Sequence, residues 1–214
     1  MLTELFEKRK RNELEVEDIF QLVKGGIKKS FVNDLKNLKI IKVEGNEQKE
    51  NQSINLWIDI IIDFFENGYQ KLIEVAKAGD KKAVFAIGVL EETKTIEGFR
   101  SLIAILKNCS IENPVEYEIA VATISAINNM ISFDSIVTVE ESDASVARQF
   151  IHNFLIYANN PSSNEKDLVI AYCALRKIGD LNTIKLIKKM RPLSRPENLG
   201  IDSVAISAIK SRIK

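Results

Sequence analysis

The chain has 214 residues, with 30 lysines and arginines against 30 aspartates and glutamates, one histidine and two cysteines. A hydrophobic share of 45%, with only 9 glycines and 4 prolines, excludes a disordered chain and suffices for one large core or two small ones. The zero formal charge excludes a uniformly basic or acidic coat of the kind that binds nucleic acid by bulk electrostatics, but it leaves local patches open.

Apolar residues at helical spacing dominate from end to end, and the periodicity predicts about eleven helices, over 3–11, 17–38, 52–66, 69–78, 80–92, 95–107, 114–130, 143–158, 163–178, 180–191 and 201–213. The first residues lack the basic, apolar and small-residue order of a signal peptide. Gly25 and Gly26 offer a break inside the second segment. Residues 40–43 and 136–139 alone have β-branched character, and both are short enough for turns or a stray hairpin. The polar stretch 44–53 reads as a loop, dividing an N-terminal helical segment, 1–43, from a repeat region, 54–214. The most apolar run, 54–65, holds Asn55, Asp59 and Asp63 and falls short of the ~20 residues a bilayer needs, so it reads as a buried helix. Start signals recur: Asn113 before Pro114 and Glu116, the run Ser162, Ser163, Asn164 and Glu165, and Asp80, Asp143 and Asp180 before apolar stretches. Gly79 and Gly179 stand where one helix stops and the next starts. Cys109 and Cys173 lack metal-ligand spacing and read as buried, reduced thiols of a cytoplasmic protein.

Small residues recur three apart on successive segments: Ala83 and Ala86, Ala122 and Ser125, Ala171 and Ala174, Ala205 and Ala208. Small side chains let a partner helix approach closely, as stacked helix pairs require. The stretch Val169, Ile170, Ala171, Tyr172, Cys173, Ala174, Leu175, Arg176, Lys177, Ile178, Gly179, Asp180, followed by Ile184, Ile187 and Met190, resembles a HEAT-like repeat of the bilin-lyase type. Ala83 to Leu90, followed by Ile96, Phe99, Ile103 and Leu106, resembles a degenerate copy in which Glu91 and Glu92 replace the glycine and aspartate of that pattern. The resemblance covers about residues 80–213 and implies an all-α fold: an irregular α-solenoid of stacked antiparallel helix pairs.

Catalytic signatures are missing. No nucleotide-binding glycine loop, nucleophile elbow or zinc-protease motif occurs, and the single histidine, His152, reads as a surface residue rather than a general base. Asp59 and Asp63, four apart on one helix face, are spaced for acid–base or metal chemistry, but with Glu66 they also read as a solvated stripe. No cofactor or metal is expected.

Charge by segment is more informative. Residues 111–165 hold one basic residue, Arg148, against Glu112, Glu116, Glu118, Asp134, Glu140, Glu141, Asp143 and Glu165, a net −7. Residues 166–214 hold eleven basic residues against Asp167, Asp180, Glu197 and Asp202, a net +7. In a solenoid, neighbouring sequence is neighbouring space, so these become adjoining zones of opposite sign. The acidic zone offers Glu112, Glu116, Glu118, Glu140, Glu141 and Asp143 to a protein partner, and the basic zone offers Lys185, Lys188, Lys189 and Arg191. Residues 18–38, with their two glycines, faintly resemble a helix-turn-helix, and 20–43 carry Lys24, Lys28, Lys29, Lys36, Lys39 and Lys42 against Asp34. A compact, Lys-, Ile- and Asn-rich helical-repeat chain resembles some bacterial immunity proteins, which block a cognate toxin. The expectation is a non-catalytic cytoplasmic module whose acidic zone meets a protein partner such as a basic toxin domain. The alternatives are a generic scaffold, or nucleic-acid binding through the basic C-terminal zone.

Overall fold

A computed structural model describes residues 2–41, 48–131, 139–160, 164–190 and 199–213, the side chains of 48–51 and 199 excepted. Among these residues there are twelve α-helices and no strand. The chain divides into two compact units, 1–101 and 102–214, and the division falls within α7 (Ile96–Leu106).

The first unit holds α1 (Leu2–Lys10), α2 (Val16–Val23), α3 (Val32–Lys39), α4 (Gln48–Asn67), α5 (Tyr69–Lys77) and α6 (Ala83–Glu92). The segment expected over 17–38 is two helices, with the break that the sequence offered at Gly25 and Gly26. Both take positive φ (82° and 97°), a region open to glycine and costly for other residues. The Gly25 N–H donates to Thr93 O at 2.9 Å, tying the end of α2 to the end of α6. The stretch read as a loop over 44–53 is helical from Gln48 on, and 44–47 lie outside the described residues. Residues 40–43 form no strand where described: α3 ends at Lys39 with Ile40 as its C-cap, and 42–43 lie outside.

Helix α4 is the spine of this unit. Ile58, Ile60, Ile61, Phe64 and Phe65 are buried, and α2, α3, α5 and α6 all pack on it. Its acids face α3: Asp59 pairs with Lys39 and Glu66 with Lys36, both at 2.6 Å. Two acids of the stripe, Asp59 and Glu66, and two of the helix-turn-helix lysines are therefore partners of one another. Trp57, the only tryptophan, packs edge-on between Phe20 of α2 (4.9 Å) and Phe85 of α6 (4.6 Å).

The second unit holds α8 (Pro114–Met130), α9 (Glu141–Ala158), α10 (Glu165–Ile178), α11 (Leu181–Met190) and α12 (Leu199–Arg212). Their directions follow from specific contacts. The first turns of α8 and α10 meet through Tyr117 and Asp167. The ends of α10 and α12 meet where Arg212 donates to Gly179 O, and Val169 and Cys173 face Gly200, Ile201 and Val204 nearer their starts. Helices α8, α10 and α12 therefore run parallel. Arg148 and His152 of α9 reach Asp180 and Thr183 at the head of α11, so α9 and α11 run together, opposite to α10. Gly179 permits the α10–α12 approach, since a Cβ there would sit 2.6 Å from Ile209 Cδ1 and 2.5 Å from Leu175 O. The β-branched residues 136–138 lie outside the described residues.

Gly88 of α6 lies directly under the Trp57 ring, where an added Cβ would come within 2.6 Å of the indole. Gly88→Ala is therefore expected to destabilise the protein by about 1–3 kcal/mol, because overpacking outweighs the gain in helix propensity. Urea unfolding followed by Trp57 fluorescence reads this directly, and an unchanged or raised midpoint contradicts the packing described.

Candidate interaction groove

Two helix starts build a groove in the second unit. Asn113 caps α8, its side chain accepting from the N–H groups of Val115 (3.0 Å) and Glu116 (3.3 Å), with Pro114 in the first helical turn. Glu116 turns back to accept from the Ser110 N–H at 2.6 Å. Asn164 caps α10 by accepting from the Lys166 N–H at 3.1 Å. With both starts fixed, the Tyr117 hydroxyl donates to Asp167 Oδ2 at 2.8 Å. The Tyr117 ring stacks on Phe154 of α9 (5.2 Å, 23°) and stands 6.0 Å from Tyr157 at 51°. Burial, then the bond to Asp167, pushes the Tyr117 phenol well above its ordinary value, so it remains a proton donor to a carboxylate.

Hollows flank Tyr117. One of about 320 Å³ is lined by Ile111, Glu112, Pro114, Tyr117, Tyr157, Asn164 and Asp167. The other, about 580 Å³, continues between α8 and α10 past Glu118, Val121, Ala122, Ser125 and Ile170. Carboxylates and aromatic rings line them, and neither lining holds a lysine or arginine among the described residues.

The acidic residues singled out in the sequence separate. Glu112 and Glu118 border this groove, and Glu116 stands beside it but is occupied with Ser110. Glu140, Glu141 and Asp143 sit at the start of α9, the end remote from Tyr157. There Arg148, 8% exposed, donates to Glu141 Oε1 (2.8 Å), Asp180 Oδ2 (2.8 Å) and the Ile178 carbonyl (2.7 Å). Lys185, Lys188 and Lys189 are exposed on α11, away from buried Ile184, Ile187 and Met190, and Arg191 lies outside the described residues. Tyr117, Tyr157 and Asp167 were not singled out in the sequence. The cap at Asn164 was the available hint, because it places Asp167 in a first helical turn.

Of the remaining candidates, His152 is half-buried rather than on the surface, with Nε2 2.8 Å from Thr183 Oγ1. Asp180 caps α11 reciprocally with Thr183, accepting from its N–H at 2.8 Å while Thr183 Oγ1 accepts from the Asp180 N–H at 3.0 Å. Burial alone would raise the Asp180 carboxyl, but Thr183 and the Arg148 guanidinium outweigh it and hold the group below its ordinary value. Cys109 and Cys173 form no disulfide and are half-buried, not fully buried. Among the described residues no group of three or more His, Cys, Asp and Glu side chains is placed to hold a metal ion, and no helix is long and apolar enough to cross a membrane.

Burial holds the His152 imidazole below the usual histidine value near 6.5, with Arg148 assisting and Asp180 opposing. As pH falls through 6.5 toward that lower value, the unfolded chain takes up a proton that the folded chain refuses. Stability is therefore expected to decline with acidification across this window. Because the chain has one histidine, its imidazole signal in an NMR titration stands alone. A midpoint below 6.5 is expected, and one at or above 6.5 contradicts the half-buried neutral ring.

No family model, curated protein or solved structure matches this chain.

Proposed function

We propose that the chain is a non-catalytic protein-binding module built on HEAT-like helix stacking, which holds a basic partner protein against the groove beside Tyr117. The single observation that carries this is a groove lined by Glu112, Glu118, Asp167 and two tyrosines, with no base among the described residues of its lining. The parallel course of α8, α10 and α12, with α9 and α11 returning between them, supports the repeat reading within the second unit, since stacked helix pairs alternate in this way. Of the modules that bind basic proteins, an immunity protein fits best: occluding a basic toxin needs a complementary surface and no chemistry of its own, and complementary charge speeds capture. A cytoplasmic setting goes with this reading, as do two cysteines that form no disulfide.

The test begins with the gene neighbour. A toxin encoded beside this chain should bind it and lose its toxicity on co-expression, while a neighbour that neither binds nor is neutralised overturns the immunity reading. With such a partner, the double variant Glu112→Lys, Glu118→Lys is expected to slow association about tenfold or more at low salt, with the difference shrinking as salt rises. Association unaffected by these reversals puts the partner elsewhere.

The nucleic-acid reading rests on Lys185, Lys188 and Lys189, all exposed on α11. If it holds, a gel shift weakens with salt, and changing the three lysines to glutamate lowers the salt slope by roughly 0.9 for every phosphate that is no longer neutralised. The absence of a shift at low salt removes this reading.

A further inference from the structure

The groove beside Tyr117 has a floor more specific than its acidity. Asp167 is 8% exposed, and its Oδ2 is occupied by the Tyr117 hydroxyl, while its second oxygen has no hydrogen bond among the described residues. Tyr157, 44% exposed and with its ring tilted 51° to Tyr117, lines the same hollow as Asp167, so the two rings make a corner in a hollow that also holds this nearly buried carboxylate. Among the described residues that carboxylate has no ion pair. The only lysine or arginine in 111–165, Arg148, is held at the other end of α9 by Glu141, Asp180 and the Ile178 carbonyl. The first hollow, about 320 Å³, is large enough for one side chain and adds Glu112 at its edge.

We infer that this corner is the anchor point for a single arginine side chain of the basic partner, its guanidinium against the Tyr157 ring and donating to the free oxygen of Asp167. This rests on the function proposed above and deepens it. Arginine is favoured over lysine on three counts. A planar guanidinium stacks on a ring while directing its N–H edge at a carboxylate, it is weakly hydrated so that half-burial costs it less, and its charge survives burial that readily lowers the pKa of a lysine. The Tyr117 bond fixes the Asp167 carboxylate before the ligand arrives, so little ordering remains for binding to supply. Glu112 and Glu118 then act on longer-range attraction of the basic segment, and Asp167 on the anchor.

The full-length chain with ring-labelled tyrosine provides the test, titrated in NMR with acetyl-arginine methylamide, its lysine counterpart and the neutral citrulline counterpart. The arginine probe is expected to shift the Tyr117 and Tyr157 ring signals saturably, leaving Tyr69 and Tyr172 unmoved, and the citrulline probe to shift none. Tyr157→Ala, an exposed change, should weaken the arginine probe about 3- to 30-fold. Asp167→Asn keeps an acceptor for Tyr117 but removes the charge, and should abolish saturation, with thermal melts confirming the fold of both variants. No saturable shift with arginine, or an equal response to the citrulline or lysine probe, overturns the inference. If the arginine probe fails while a partner's association still responds to Glu112→Lys, Glu118→Lys, the acidic groove stands and the anchor falls. If the probe binds but no basic partner is found, the anchor stands and the proposed function falls.

Discussion

Arg148 organises the second unit. Its guanidinium is nearly buried, and its donors meet the Ile178 carbonyl, Asp180 and Glu141. Taking such a charge out of water costs several kcal/mol unless its donors are satisfied, and here all the accepting groups belong to the junctions between helices. The carbonyl of Ile178 is one of those that the end of α10 leaves without a partner in the helix, and Asp180 is the cap of α11. One side chain therefore fixes the turn from α10 to α11 and the placing of α9 beside them, antiparallel to α10 and parallel to α11. Arg212 adds a second clasp on Gly179 O from α12. With the α10–α11 turn held at one end, the opposite ends of α8, α9 and α10 are set as well, and these are the ends that carry Tyr117, Tyr157 and Asp167.

The two ends of α9 thus do different work. At its start, negative charge is consumed internally, with Glu141 and Asp180 satisfying a buried cation. At its end, Asp167 meets only a neutral phenol, and Glu112 and Glu118 meet no cation among the described residues. The acid-rich segment is a single block in the sequence, but the structure divides it between the groove beside Tyr117 and the start of α9. Glu140, Glu141 and Asp143 belong chemically to the helix junction, where carboxylates near a helix start are favoured by its dipole whether or not a partner exists.

The first unit solves a different problem with the same materials. Helix α4 has a broad apolar face on which four other helices pack, and two of its acids are placed where α3 supplies lysines. Asp59 and Glu66, which share a face by spacing, have Lys39 and Lys36 as partners, leaving the acid–base reading of that face without a free pair. The same ion pairs occupy two of the lysines that made 20–43 look like a nucleic-acid reader.

Sequence by itself determined the helices. Apolar spacing placed α8 at 114–130, and start signals at Asn113 and Asp180 proved to be side-chain caps, because periodicity and capping depend on residues within a few positions of each other. It also determined that charge is unevenly distributed along the chain. Where long polar runs met a helix start, as at Gln48, local composition pointed to a loop and the helix prevailed, since packing of the apolar face decides such boundaries. Only the tertiary structure decided which charges are spent and which are free. Tyr117 and Asp167 are fifty positions apart, Arg148 and Asp180 thirty-two, and their meeting depends on helix direction and close approach at Gly179, which no local pattern encodes.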